Sequence, residues 1–227
     1  MAEALAGDIA EADATEAAVL AHTVITHHTG DDPWGRSTTF SRWAARLAAL
    51  RWDVSVGGDH HIPRNGPVLI VCNERLGGFC PLLAAWALTD RSGRVVRFTS
   101  VIDIAPIGPI TRKVGGLLSN PQDVEGALRA GEVVLVSASA TRFGRHAGRV
   151  DARYIEAAAR LGAPIIPVAA ISAPLGRSAR VEVGQAVQAR RSRNGPLLGP
   201  ELADATRVQL QRLLDQTTQP GFSVVST

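Results

Sequence analysis

The 227-residue chain has few of the features that mark secreted, membrane-spanning or nucleic-acid-binding proteins. Its two cysteines, Cys72 and Cys80, have a spacing that fits no zinc site and predicts no disulfide. No apolar run reaches the roughly 18 residues that a membrane-spanning helix needs. The formal charge is only +3, and Lys113 is the only lysine. This charge is too small and too dispersed to indicate a nucleic-acid-binding protein.

The N-terminal stretch MAEALAGDIAEADATEAAVL is acidic and rich in alanine. It lacks the positive start and the continuous apolar centre of a signal peptide, so we expect a cytoplasmic protein. Residues 3-28 predict a helix, which Gly30 and Pro33 would end. The adjacent pairs His27–His28 and His60–His61 have no further ligands near them in sequence, so we predict no metal site and no cofactor.

The segment STTFSRWAARLAALRW predicts an amphipathic helix over residues 38-51. Its apolar residues recur at intervals of three and four, and they are Phe40, Trp43, Ala44, Leu47 and Leu50. Arginines flank that face at positions 42, 46 and 51. In one interpretation, the helix makes a peripheral contact with the inner face of an anionic membrane. In the other, the helix packs its apolar face on the core of the domain.

Strands and helices alternate from about residue 52 onward. Apolar runs predict strands at 67-72, 95-100, 132-137 and 164-170 in one sheet. Helices are predicted at 81-88, 109-114, 121-130, 152-161 and 201-216, and Asn120 is a good N-cap before Pro121. The fold class is therefore α/β, with a largely parallel central sheet flanked by helices. We divide the chain into an N-terminal helical extension, 1-51, and an α/β domain, 52-227.

The stretch VLIVCNERLGGFCPLL, residues 68-83, has the pattern of an active-site turn. A buried strand runs into a glycine turn, and a proline opens an apolar helix. Such a turn usually presents a reactive side chain at the carboxyl edge of a sheet. The polar groups here are Asn73, Glu74, Arg75 and the thiol of Cys80, and none of them is a histidine.

Four blocks between about residue 52 and residue 183 carry a family resemblance. They are VSVGGDHHIPRNGPVLIVCN, DIAPIGPITRKVGGLLSN, ALRAGEVVLVSASATRFGRHAG and AARLGAPIIPVAAIS. In order and spacing they resemble the blocks of bacterial 1-acylglycerol-3-phosphate acyltransferases, in the lysophospholipid acyltransferase superfamily. The resemblance implies transfer of an acyl chain from acyl-CoA or acyl carrier protein to a phospholipid-like acceptor. In that family a histidine takes a proton from the acceptor hydroxyl, and an aspartate five residues later orients it.

The residues that carry this chemistry in the family are replaced here. From the left, the family histidine falls on Glu74; from the right, the family aspartate falls on Cys80. The Glu-Gly-Thr-Arg motif becomes Ser139-Ala140-Thr141-Arg142, and the arginine of the second block falls near Asn120. By resemblance, Thr141 and Arg142, together with Arg145, are the candidate phosphate-binding residues. The alternative is that these arginines are only solvated in a loop.

Glu74 and Cys80 each have a catalytic and a structural interpretation. Glu74 is a candidate base if burial raises its pKa, or else a solvated carboxylate paired with Arg75. Cys80, at a helix N-terminus, is a candidate acyl-accepting nucleophile if His60, His61 or His146 approaches it, or else a small buried thiol.

Three hypotheses follow for the whole protein. The first is an acyltransferase with altered catalytic residues, for which we expect very slow transfer from acyl-CoA to lysophosphatidate. The second is an inactive relative that binds acyl-CoA, a lipid or a partner protein. The third is a different α/β enzyme that reuses the same frame.

Overall fold

A computed structural model gives the fold of the chain. It describes residues 31-74, 80-100, 107-139, 146-172, 177-187 and 197-218. The helix predicted over 3-28 lies outside the described residues, and so do Arg75, Thr141, Arg142 and Arg145.

The strands form one mixed sheet. They are β1 (Asp53–Gly57), β2 (Val68–Cys72), β3 (Val96–Ser100), β4 (Gly116–Leu118), β5 (Val133–Ser137), β6 (Ile165–Ser172) and β7 (Ser178–Val183). Within the described ranges this is a seven-stranded sheet in the order β1-β7-β6-β2-β5-β3-β4. β2 pairs in parallel with both β5 and β6, whereas β7 is antiparallel to β6. The four predicted strands are therefore confirmed in a common sheet, and the α/β fold class is confirmed with them.

Helices connect the strands and cover both faces of the sheet. They are α1 (Thr38–Arg51), α2 (Cys80–Ser92), α3 (Ile107–Lys113), α4 (Pro121–Arg129), α5 (Ala152–Arg160) and α6 (Leu198–Thr218). α4 begins as predicted, because the Asn120 side chain accepts a hydrogen bond of 2.8 Å from the Asp123 amide. The three-residue strand β4 was not predicted, since Gly-Leu-Leu is too short to show a strand period.

Burial explains why the central strands read as apolar runs. All five residues of β2 are buried, because helices cover both faces of the sheet at its centre. β7, nearer the edge, instead alternates between buried and partly exposed positions. Along β2, Ile70 and Cys72 face the side of the sheet covered by α2. Val71 faces the opposite side, which α4, α5 and α6 cover.

A buried arginine ties the anchor turn, residues 31-37, to the sheet. Arg97 on β3 is 2% exposed, and its Nη2 donates to the carboxylates of Asp32 at 2.6 Å and Glu132 at 3.2 Å. The Trp34 ring lies 5.7 Å from the Arg97 guanidinium carbon. Asp32 Oδ1 also accepts the backbone amide of Arg36 at 2.9 Å. These contacts fix the turn from which α1 starts.

Helix α1 is held at its ends and not along its apolar face. At its start the Ser37 amide donates to the Lys113 carbonyl at 3.0 Å, and at its end the Leu50 carbonyl accepts from Arg177 at 2.9 Å. No residue of α1 is buried. Trp43 is 57%, Leu47 46% and Leu50 71% exposed. Among the described residues, these three side chains of the apolar face are therefore not packed on the core, whereas Phe40 and Ala44 of the same face are half-buried.

We expect Arg97→Ala to lower the free energy of unfolding by about 3 kcal/mol. Removing one partner of a buried ion pair costs about 3–5 kcal/mol. The lower end applies because the side chains of Asp32 and Glu132 are 24% and 28% exposed and can regain water. Urea denaturation measures the change. As a matched control, Arg207→Ala breaks the exposed pair with Asp204 and should cost less than about 1 kcal/mol. Equal losses in the two variants would contradict the prediction.

Candidate functional site

The candidate site lies at the carboxyl ends of β2 and β5, two neighbouring strands whose following helices pack on opposite faces of the sheet. β2 leads into α2, which packs on one face, whereas β5 leads into α5, which packs on the other. Because β2 and β5 are parallel neighbours, their carboxyl ends lie side by side at one edge of the sheet, which is the position of the crevice in open α/β sheets. Open α/β sheets bind ligands at such a topological switch point. Glu74 and Ser139, which sequence comparison selected, follow these two strands.

Asn73 fixes the backbone at the end of β2. Its side chain is buried, its Nδ2 donates to the Ala170 carbonyl at 2.9 Å, and its Oδ1 accepts from the Ala170 amide at 2.7 Å. The amide therefore binds β6 as another strand residue would, one position beyond the last β2–β6 pair, Cys72 with Val168. The sequence assigned Asn73 no role. The signal was present, because an asparagine that directly follows a buried strand needs partners for its amide.

Glu74 lies beside Ser137 at this crevice. Ser137 is the register partner of Cys72, and both residues are on the α2 side of the sheet by alternation from Leu135 and Ile70. The side chains of Glu74 and Ser137 are half-buried. Burial raises the pKa of the Glu74 carboxyl above its ordinary value, and the Ser137 hydroxyl acts in the opposite direction. Glu74 is therefore a stronger base than a solvated glutamate.

The two thiols pack in the same cluster behind Glu74. Cys72 is fully buried, and Cys80, the first residue of α2, is 3% exposed. Neither cysteine is in a disulfide. Burial raises the pKa of the Cys72 thiol well above its ordinary value, and nearby Cys80 and Glu74 raise it further. Glu74 and Cys80 therefore both lie near the Cys72 thiol.

Ser139 closes the loop that follows β5. Its amide donates to the Arg149 carbonyl at 2.9 Å, and its hydroxyl donates to the same carbonyl at 3.1 Å. Gly148 lies so close that a side chain there would overlap the Ser139 backbone, so only glycine fits. The hydroxyl of Ser139 is therefore engaged within the loop. Thr141, Arg142 and Arg145 lie between these two closing positions, outside the described residues.

Asn120 and two of the histidines lie away from the crevice. Asn120 follows β4, at the edge of the sheet, and its Oδ1 caps α4. His60 and His61 are in the short turn Asp59–His61, where His61 Nδ1 lies 3.1 Å from the Val183 carbonyl. Asp59 in that turn pairs with Arg91 near the end of α2, which is about 16 Å along the helix from Cys80. His146 is exposed.

A groove runs between α1, β1 and α2, beside the sheet edge. Its volume is about 860 Å³, which is within the range of ligand pockets. Its walls combine tryptophans and β1 valines with charged residues, and they include Trp52, Val54, Val56, Trp86, Asp90, Arg91 and Arg177. The sequence did not predict this groove, because β1 and α2 are distant in the chain.

Neither membrane-spanning helices nor metal clusters are found among the described residues. No helix there is both long and apolar enough to cross a bilayer. In the same ranges, no group of three or more His, Cys, Asp or Glu side chains is placed to hold a metal ion.

Comparison with known proteins supports the fold and not the chemistry. No family model matches the chain, and no curated protein matches it by sequence. Among solved structures, it is similar to the 1-acyl-sn-glycerophosphate (LPA) acyltransferase PlsC from Thermotoga maritima. The match has a TM-score of 0.58 and 17% sequence identity, and it covers 80% of each chain. The chain therefore has an overall fold similar to that of this structure, in agreement with the fold that its four sequence blocks predicted.

Proposed function

We propose that the protein transfers an acyl chain from a thioester of CoA or acyl carrier protein to the hydroxyl of a lysophospholipid-like acceptor, with Glu74 as the base. The observation that carries this proposal is the half-buried Glu74 carboxylate at the topological switch point, where the family histidine falls in sequence. A base in this position takes the acceptor proton while the oxygen attacks the thioester carbonyl. A carboxylate has no tautomers, so it needs no orienting aspartate at position 80.

Turnover should be slow by the standards of this chemistry. Burial moves the pKa of Glu74 toward neutrality, which strengthens the base. Yet the orienting aspartate is replaced by a buried thiol, and the glutamate of the third block is replaced by Ser139, whose hydroxyl is engaged. Fewer groups are then left to position the acceptor.

The acceptor phosphate is the proposed ligand of Thr141 and Arg142, with Arg145. The proposal rests on the sequence of the third block and on the closure of its loop between Ser139 and Arg149. This closure returns the chain at Arg149 to the end of β5. Guanidinium groups bind phosphate oxygens in bidentate pairs.

A second candidate function is ligand binding without turnover. The observation that favours it is the position of His60 and His61. Both lie in the turn beside Arg91, at the end of α2 that is distant from Cys80, so neither is placed to activate that thiol. In that case, the groove of about 860 Å³ and the crevice would retain an acyl chain or phospholipid without reacting it.

The exposed face of α1 is the proposed membrane contact. Trp43, Leu47 and Leu50 form an exposed apolar strip, and α1 contains three arginines and no acidic residue. An amphipathic helix with arginines beside its apolar face binds anionic lipid surfaces. Such a contact would bring the protein to the inner face of the membrane, where lysophospholipids are present.

We expect Glu74→Gln to lower the rate of acyl transfer without lowering stability at pH 7. Loss of a general base costs about 10²–10⁴ in rate. Since folding raises the pKa of Glu74, the folded state holds its proton more tightly than the unfolded chain. The ionised carboxylate is therefore unfavourable at pH 7, and the variant's melting temperature should equal or exceed the parent's. This difference should vanish as the pH falls below the pKa of an unfolded glutamate.

Labelled acyl-CoA with several lysophospholipids measures the rate, and thermal melts from pH 4 to pH 8 measure stability. Parent activity should fall with acidification at a higher pH than an ordinary carboxyl predicts, because the raised pKa protonates the base earlier. Transfer that survives in Glu74→Gln would remove Glu74 from the mechanism. Absence of transfer in the parent, with acyl-CoA still bound, would favour the second candidate function.

Arg142→Ala should weaken binding of a lysophospholipid or of acyl-CoA by about 1.5–3 kcal/mol, the scale of a hydrogen bond to a charged group. Calorimetric titration measures the change. Arg207→Ala, in an exposed pair on α6, is the matched control and should leave the affinity unchanged. An unchanged affinity in Arg142→Ala would exclude Arg142 as a phosphate ligand.

Binding to vesicles tests the membrane contact. Vesicles of phosphatidylcholine and phosphatidylglycerol should bind the parent more tightly as the anionic fraction rises. Arg46→Gln should weaken this binding about fivefold, since one arginine near an anionic surface is worth about 1 kcal/mol. Leu50→Glu should also weaken binding to the vesicles. The control Leu197→Glu should leave this binding unchanged, because Leu197 is similarly exposed, 65% against 71% for Leu50, but lies outside α1. Equal losses at positions 50 and 197 would contradict this assignment.

A further inference from the structure

Four hydroxyl or thiol groups lie near the ends of β2 and β5, and they differ in availability. Cys72 is fully buried, and Cys80 is 3% exposed. The Ser139 hydroxyl donates to the Arg149 carbonyl at 3.1 Å. Ser137 is only half-buried, and its hydroxyl is hydrogen-bonded to the Glu74 carboxylate, which can take its proton.

The backbone holds Ser137 and Glu74 next to each other at the carboxyl ends of β5 and β2. Cys72 and Ser137 are register partners in parallel strands, and the Ala138 amide donates to the Cys72 carbonyl at 2.8 Å just beyond them. Asn73 then binds Ala170 through both atoms of its amide. The positions of residues 74 and 137 are thus set by the two central strands, and rigid strand ends hold reacting groups better than loops do.

We infer that Ser137 is a nucleophile that accepts the acyl chain as an ester before the chain passes to the acceptor. This inference rests on the proposed acyl-transfer function, and it adds a covalent intermediate to it. The inference assigns a role to Ser137, the last residue of β5. The four-block resemblance marks no catalytic group at this position.

The proposed reaction has two balanced steps. In the first, Ser137 Oγ attacks the thioester carbonyl carbon, its proton passes to Glu74, the C–S bond breaks, and the thiolate leaves with that proton. In the second, the acceptor hydroxyl attacks the Ser137 ester and Glu74 takes its proton. The C–Oγ bond then breaks, and Oγ recovers the proton. In each step the Glu74 carboxylate takes one proton and returns it, so no second base is needed.

A fluorophosphonate with a dodecyl chain traps such a serine. Ser137 Oγ would form a bond to phosphorus, the P–F bond would break, and the stable adduct would add a fixed mass to the intact protein. Peptide mapping of the parent protein should place the adduct on Ser137. Glu74→Gln should slow labelling by about 10²–10⁴, the effect of losing a general base. Ser137→Ala should reduce labelling to background, and Ser137→Cys should restore adduct formation with an acyl-CoA.

Ser172→Ala is the matched control, because Ser172 is the half-buried serine at the end of the neighbouring strand β6. It should label at the parent rate. Peptide mapping is done on the parent protein, so the result does not depend on the folding of any variant. A circular-dichroism melt of Ser137→Ala accompanies the rate measurement.

The outcomes separate this inference from the proposed function. An adduct at Ser137 that depends on Glu74 supports both. An adduct on Cys80 or Ser139, or acyl transfer that persists in Ser137→Ala, overturns the covalent role of Ser137 and leaves acyl transfer standing. Acyl transfer by the parent protein without any adduct likewise overturns the covalent role of Ser137 and leaves acyl transfer standing. Neither adduct nor transfer in the parent overturns both, in favour of ligand binding without turnover.

Discussion

The two hydrogen bonds between the Asn73 side chain and the Ala170 backbone, at 2.7 and 2.9 Å, are the constraint on which the site depends. At this level β6 pairs with β7 on its other side. A side-chain amide therefore takes the place of the next β2 residue. Such a buried amide is expensive unless both of its groups are bonded, so the chain can leave β2 in only one way. Glu74 follows directly after this fixed residue and lies beside Ser137.

A second buried polar contact acts on the part of the chain that does not pack on the core. Arg97 binds the anchor turn through Asp32, and this turn starts α1. Because α1 buries none of its residues, its position comes from its ends and not from a hydrophobic interface. This leaves Trp43, Leu47 and Leu50 available to another surface, which a helix packed on the core could not offer. Stability and the proposed lipid contact are thus assigned to separate groups in the first half of the chain.

The sequence predicted the sheet because central parallel strands must be apolar on both faces. The five-residue apolar runs that end at Cys72 and Ser137 have this pattern. The proximity of Glu74 and Cys80 in a shared site stays a prediction from the sequence, since both belong to one short segment. The sequence did not predict Ser137 beside Glu74, because the register between β2 and β5 is set by contacts between residues far apart in the chain. The exposure of the apolar face of α1 could not be predicted from the sequence either. The sequence pattern of an amphipathic helix indicates that it has an apolar face, but it does not indicate which surface contacts that face.

In the proposed mechanism Glu74 takes the role that a histidine has in the acyltransferase family, and burial acts differently on these two groups. Burial lowers the pKa of a histidine and weakens it as a base, whereas it raises the pKa of a carboxylate and strengthens it. A partly dry crevice beside two buried thiols is therefore a better setting for a glutamate base than for an imidazole. The same burial makes the ionised carboxylate a burden on folding. In the proposed mechanism a stronger base offsets this cost in stability, and the Ser137 hydroxyl is the neighbour on which the base acts.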